Sequence, residues 1–253
     1  MPEVTLQIES AVAIVTINRP DARNAVDRAV AEGLARASEQ VENDRNVRVG
    51  IITGAGGHFC AGMDLKAFLR GEIVRIPGRG FAGFTQAPLA KPWIAAVEGY
   101  ALGGGFEIAL TCDLIVAGDS ARFGLPEVKR GLVANAGGLV RLPRQLPRRI
   151  ASELVLTGEL VAPPWLASHG LINRVVESGT ALDAALALAK QIAGNGPLAI
   201  AASKRVMQDS ADWTSGELFE RQNLVTAPVF ASADAREGAS AFAEKRTPNW
   251  RGE

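Results

Sequence analysis

The sequence predicts an α/β fold built from stacked β-β-α units and completed by an all-helical carboxy-terminal region. A buried strand, a glycine-rich loop and a helix follow one another over Val47 to Lys66 and again over Trp93 to Cys112, so two similar loops are delivered to one place. Beyond Gly194-Asn195-Gly196-Pro197 only helical periodicity remains, which divides the chain into a core over 1–195 and a helical region over 196–253. At 253 residues and 47% hydrophobic content the chain can bury a sizeable core.

In order, Val4 to Ile8 and Val12 to Asn18 alternate as the two strands of a hairpin, and Arg19 to Arg23 read as a turn. Asp27 can cap a helix reaching about Val41, because Val30, Leu34, Ala37 and Val41 recur at helical spacing. Val47 to Thr53 is a buried strand, followed by Gly54 to Gly57 and a turn into a short helix near Lys66. Gly71 to Gly83, with Arg70, Arg75 and Arg79 around it, reads first as an ordinary exposed loop and otherwise as a mobile surface segment near the site. Trp93 to Val97 and Leu114 to Ala117 are strands that flank a helix over Phe106 to Cys112. Ala121 to Phe123 and Ile172 to Val176 are short strands, and Gly131 to Gly138 is a loop. Arg148 to Leu156, Pro164 to Ser168 and Ala181 to Ala193 read as helices, as do Leu198 to Met207, Ser215 to Thr226 and Ala233 to Glu244 in the tail.

Charge excludes some functions. Lys and Arg total 27 against 27 Asp and Glu with no polybasic run, so neither nucleic acid nor an anionic membrane is an expected partner. Every long apolar run is interrupted by Gly, Pro or a carboxylate and no secretory leader pattern opens the chain, which makes the cytoplasm the expected location. Cys60 and Cys112 lie in apolar surroundings without metal-ligand spacing and read as reduced packing residues; His58 and His169 are isolated, so no metal is expected.

The chemistry concentrates in Glu98 to Gly118. Gly103, Gly104 and Gly105 stand before an apolar helix and permit close approach to bare peptide, while the first-turn N–H groups lack intrahelical partners and favour negative charge. Glu107 interrupts the apolar face. A carboxylate there is costly to bury unless it is paired, hydrogen-bonded or used for proton transfer.

Four stretches in order make the chain resemble the crotonase (enoyl-CoA hydratase/isomerase) superfamily over nearly its whole length. They are Asn18-Arg19-Pro20 with Asn24-Ala25, Phe59-Cys60-Ala61-Gly62-Met63-Asp64-Leu65, the run Gly99 to Cys112, and Phe242-Ala243-Glu244-Lys245-Arg246-Thr247-Pro248. The resemblance implies a crotonase-like spiral of β-β-α units, a helical trimerisation region, and homo-oligomers that are trimers or dimers of trimers. It also implies an acyl-CoA substrate whose thioester oxygen, as an enolate-like oxyanion, is held by the backbone N–H groups of Met63 and Gly104. Coenzyme A belongs to the substrate, and no separate cofactor is expected.

The carboxylates select the reaction. In the hydratase subgroup one glutamate follows the triple glycine and a second lies in a Pro-Glu pair; by resemblance these are Glu107, as base, and Glu127, as acid, twenty positions later. Two carboxyls sharing a water suit addition of water across the 2,3 double bond of a 2-enoyl-CoA, since repulsion and desolvation keep one of them protonated near neutrality. Further substrate contacts implied are Ala61, Asp64, Leu65, Lys66 and Arg23, with Phe242 and Lys245 from the tail, possible across a subunit boundary. One departure is Ala134-Asn135, where hydratases of this family usually carry a proline; it leaves that loop less pre-set and bears on acyl preference. The tail and Gly103 to Leu110 also resemble carnitinyl-CoA dehydratases. Alternatives are therefore that or another short-chain hydroxyacyl-CoA dehydratase, an enoyl-CoA isomerase, and a non-catalytic acyl-CoA-binding or RNA-binding member of the fold.

Overall fold

The computed structural model describes residues 2–253. Alternation produces the expected hairpin, with β1 (Val4–Glu9) antiparallel to β2 (Val12–Ile17). The carboxylate of Asp27 accepts from the Val30 N–H at 3.0 Å and so caps α1 (Arg28–Asn43). β3 (Val49–Gly54) follows, then α2 (Leu65–Leu69) and a short hairpin of β4 (Arg75–Ile76) and β5 (Gly80–Phe81). Next come β6 (Trp93–Val97), β7 (Tyr100–Leu102), α3 (Gly104–Ala109), β8 (Leu114–Gly118) and β9 (Arg122–Gly124). Helices α4 (Gly138–Gln145), α5 (Arg148–Thr157) and α6 (Pro163–Ser168) lead to β10 (Arg174–Val176) and α7 (Ala181–Ala193). The tail holds α8 (Pro197–Asp209), α9 (Leu218–Phe230) and α10 (Ala233–Glu244).

Six strands form the main sheet in the order β1-β2-β3-β6-β8-β10, parallel from β2 onward. Its inner strands β2, β3, β6 and β8 are buried on both faces, as parallel strands require, while the edge strands β1 and β10 are partly exposed. Ala13, Val15, Ile52, Trp93 and Ala95 point into the larger core, while Val12, Ile51, Ile94 and Ala96 meet α7. That helix presents Ala181, Ala185, Ala189 and Ala193, one small residue at every fourth position, so its backbone can settle closely on the sheet. A second, smaller layer comprises the parallel pair β7 and β9 with bridges joining Val26 to Met63, Cys60 to Ala101 and Phe123 to Val161. Each turn of the spiral thus gives one strand to the main sheet and one short piece to the layer that carries the loops.

Three expectations are corrected. The segment between Gly71 and Gly83 is an ordered hairpin, because Val74, Phe81 and Ala82 sink into the core, Arg79 reaches inward to the Ser38 hydroxyl at 2.7 Å, and of its arginines only Arg75 is left outside. The glycine-rich stretch before α3 contains a strand, β7, drawn into pairing with β9. Helix α4, with Pro143 inside it, was not expected at all.

In the tail, buried Lys204 donates to Asp113 Oδ2 and to the Lys91 carbonyl, each at 2.7 Å, fixing α8 to the core. The Trp250 indole donates to the Gly194 carbonyl at 2.8 Å. The outer faces of α9 and α10 leave Phe219, Leu224, Phe230 and Phe242 in solvent. No helix among the described residues is long and apolar enough to cross a membrane.

Candidate active site

Two loops of the spiral meet back to back. The Cys60 N–H donates to the Tyr100 carbonyl at 2.8 Å and the Leu102 N–H to the Cys60 carbonyl at 3.0 Å. Gly105 lies so near this rung that a Cβ would fall 2.1 Å from the Cys60 oxygen, a contact only glycine avoids. Gly62, at φ +93°, turns the next peptide, and the Val26–Met63 bridge leaves the Met63 N–H facing away from Val26. Gly104 begins α3, where an N–H has no intrahelical acceptor. Among the described residues neither the Met63 nor the Gly104 N–H donates to a protein acceptor. Both residues line one cavity of about 530 Å³ together with Glu107 and Glu127.

Glu107 is 2% exposed, and its Oε1 accepts from the Ala136 and Gly138 N–H groups at 2.7 and 2.8 Å. Gly138 opens α4, so this carboxylate sits at the positive end of a helix other than its own. Burial pushes the carboxyl above its ordinary value, and the two N–H groups, with Arg75 and Arg141 nearby, pull it back toward ionisation. Glu127 follows Pro126 in a 3₁₀ segment, Pro126–Arg130, and lies over Gly103, where a Cβ would stand 2.9 Å from its Oε1. Its Oε2 is buried with no hydrogen-bond partner. Burial, reinforced by the charge of Glu107, raises this carboxyl to about 7. The pair is therefore split by environment: two N–H donors favour the charged form of Glu107, and Glu127 holds its proton to near neutrality.

Of the remaining expected contacts, Ala61 and Leu65 line the cavity. Asp64 departs from expectation, because both carboxylate oxygens are engaged within the fold. Its Oδ1 caps α2 through the Lys66 and Ala67 N–H groups at 2.9 and 3.1 Å, and its Oδ2 meets Arg19 at 3.2 Å. Arg19 also reaches Asp27 and the Ala25 carbonyl, and the buried Asn24 amide bridges to the Ala55 and His58 carbonyls, so the Asn-Arg-Pro stretch braces the loops. Lys66 points to solvent, and Arg23 lies over the Tyr100 ring at 5.4 Å. Phe242 and Lys245 are absent from the cavity of their own chain.

Sequence reasoning missed Arg75 and Phe81. The Phe81 ring abuts Gly104, where a Cβ would fall 2.4 Å from its Cε1. Arg75 Nη2 donates to the Asn135 carbonyl and side-chain oxygen at 2.9 and 2.8 Å and so clasps the loop that lacks proline.

The model of the family described as Enoyl-CoA hydratase/isomerase matches residues 7–253. The chain belongs to that family. Within the enoyl-CoA hydratase/isomerase family it is similar to Enoyl-CoA hydratase EchA19 of Mycobacterium tuberculosis (strain ATCC 25618 / H37Rv), with 42% identity over 260 residues covering 98% of this chain and 96% of that one. It is similar also to Carnitinyl-CoA dehydratase of Proteus mirabilis (strain HI4320), with 41% identity over 255 residues covering 98% and 97%. The crystal structure of enoyl-CoA hydratase from Mycobacterium tuberculosis H37Rv matches at TM-score 0.98 and 55% identity, with 100% of both chains covered. That of carnitinyl-CoA hydratase from Mycobacterium avium matches at TM-score 0.80 and 48% identity, again over 100% of both. The crotonase-like spiral expected from the sequence is the fold of the chain.

Proposed function

We propose that the protein is a cytoplasmic enoyl-CoA hydratase, a hydro-lyase that adds water across the 2,3 double bond of a 2-enoyl-CoA and catalyses the reverse dehydration. The observation that carries this reading is the convergence of two differently buried carboxyls and two free backbone N–H groups on one cavity. The thioester oxygen takes hydrogen bonds from Met63 and Gly104, which hold the charge that develops as water attacks Cβ. Glu107 accepts a proton from that water, and Glu127 delivers one to Cα. The carboxyls end with their protonation exchanged and reset through solvent. Coenzyme A enters and leaves as part of substrate and product. Crotonyl-CoA tests the reading: hydration abolishes the conjugated enoyl-thioester absorbance, whereas an isomerase or a mere acyl-CoA binder leaves it in place.

Both directions need the pair to hold one proton, so the pH profile reports the pair rather than either residue. As pH rises through about 7, Glu127 loses its proton and kcat/KM for hydration falls. As pH drops through the raised value of Glu107, the base is lost and the rate falls again. A profile still flat from pH 6 to 9 would contradict the assignment of Glu127 as acid.

The region over 196–253 is read as the trimerisation region. Apolar side chains on α9 and α10, Leu224 and Phe230 among them, have no cover within the chain, and packing on neighbouring copies would supply it. Phe242 and Lys245 then belong to the site of an adjacent copy. Full-length Leu224→Asp/Phe230→Asp is expected to elute as a smaller species with a raised KM for acyl-CoA. Light scattering that finds wild type monomeric would remove both claims.

A further inference from the structure

The cavity wall away from the paired glutamates carries unbalanced charge. Beside the apolar Ile73, Leu132 and Val133 it presents Glu72, Arg75 and Arg130. Glu72 is neutralised from outside the cavity: Arg70 donates to its Oε1 at 3.1 and 2.6 Å, and the Arg28 N–H approaches its Oε2 at 3.4 Å. The two cations have no such partner. Arg75 is held by Asn135 through Nη2 alone, and Arg130 makes only a 3.4 Å contact from Nη1 to the Pro126 carbonyl. Among the described residues neither forms a salt bridge. Both act on the paired glutamates across the cavity, since Arg75 draws Glu107 toward ionisation and Arg130 does the same to Glu127.

Resting on the hydratase reading above, we propose that this cavity sorts 2-enoyl thioesters by the charge of the acyl tail. It favours a tail ending in a carboxylate and rejects one ending in a quaternary ammonium, and Arg75 and Arg130 are the residues that sort.

A quaternary ammonium has no hydrogen to donate and is stabilised by aromatic faces or carboxylates. Among the described residues the only aromatic side chains on the cavity are Phe68 and Phe81, and the Phe81 ring is already packed against Gly104. The one acid on this wall is occupied, and the Glu107 charge is directed onto the Ala136 and Gly138 N–H groups at the reacting carbons. A carboxylate finds the opposite situation, since the Nε–Nη2 edge of Arg130 is free to match its two oxygens and Arg75 keeps Nε and Nη1 as single donors beside its clasp on Asn135. The Asn135 clasp holds the Arg75 fork in place before the substrate arrives, which lowers the ordering cost of binding. Both arginines are exposed, so for charges about 6 Å apart at an effective dielectric of about 80 one such interaction shifts binding by about threefold in opposite senses for the two tails, or about tenfold in their ratio per arginine.

Hydration of three 2-enoyl-CoA thioesters of matched length, ending in carboxylate, methyl and trimethylammonium, tests this with full-length protein. The carboxylate thioester is expected to exceed the trimethylammonium one in kcat/KM by about 100-fold or more. Arg75→Gln and Arg130→Gln should each reduce that ratio about tenfold, while Arg75→Lys retains most of it because the charge remains. The ratio is taken within each protein, so general loss of activity in a variant cancels, and the wild-type ratio decides the matter if a variant fails to fold. A ratio near one, or a preference for the ammonium, overturns the proposal while leaving hydratase activity intact. An equal loss on all three thioesters in Arg75→Gln and Arg130→Gln also overturns it, by assigning the arginines to the coenzyme A phosphates. Hydration of none of the three would instead remove the hydratase reading on which the proposal rests.

Discussion

Glu107→Gln and Glu127→Gln are each expected to lower kcat about 10²- to 10⁴-fold, with acyl-CoA binding retained, because the amide keeps the shape of the carboxyl but cannot exchange its proton. The double variant should lose less than the product of the single losses, since the proposed mechanism places both in one proton relay. Stability separates this from a folding defect. The Glu127 carboxyl, raised to about 7 and without a partner at Oε2, favours the folded state fully only in the acid range below the ordinary carboxyl value. That contribution is lost as pH rises through about 7. Glu127→Gln should therefore melt above wild type at pH 8.5 and by a smaller margin at pH 5.5. Turnover near that of wild type in either single variant removes its residue from the relay.

Gly104→Pro is expected to cost about 10²- to 10³-fold in kcat, the usual effect of deleting one oxyanion donor. Proline suits the first position of a helix, but its Cβ falls where Phe81 Cε1 is only 2.4 Å away. Gly104→Ala imposes the same crowding and keeps the N–H, so the difference between the two variants isolates the donor. Met63→Leu keeps its N–H and should change kcat modestly. Equal losses in Gly104→Ala and Gly104→Pro, by steady-state kinetics on folded protein, would assign the effect to Phe81 packing instead.

Strands were legible because burial on both faces demands unbroken apolar runs such as Val49 to Ile52 and Trp93 to Val97. Helices α7 and α10 fall where their periodicity places them, and Glu107 was visible as a carboxylate in an apolar window. What escaped was set by partners distant in sequence. Composition hid the β4-β5 hairpin, since its arginines and glycines outnumber the few residues that anchor it. Arg75 and Asn135 lie 60 residues apart, and neither local pattern announces the other. The partners of Glu107 could not be named from sequence, because its oxygen is held at the start of α4, a helix disguised by Pro143 and its charged residues. The capping role of Asp64 left a signal that was overlooked: an aspartate directly before a helical start is an ordinary N-cap.

The rung between Cys60 and Leu102 has an evolutionary consequence. The two candidate oxyanion donors are spaced by main-chain hydrogen bonds and by the contact of Gly105 with a carbonyl. Mutation can redraw the cavity wall at Ile73, Arg75 or Val133 without disturbing these two candidate donors. Under the proposed mechanism, substrate range can drift in such a scaffold while the enolate-stabilising step is inherited unchanged.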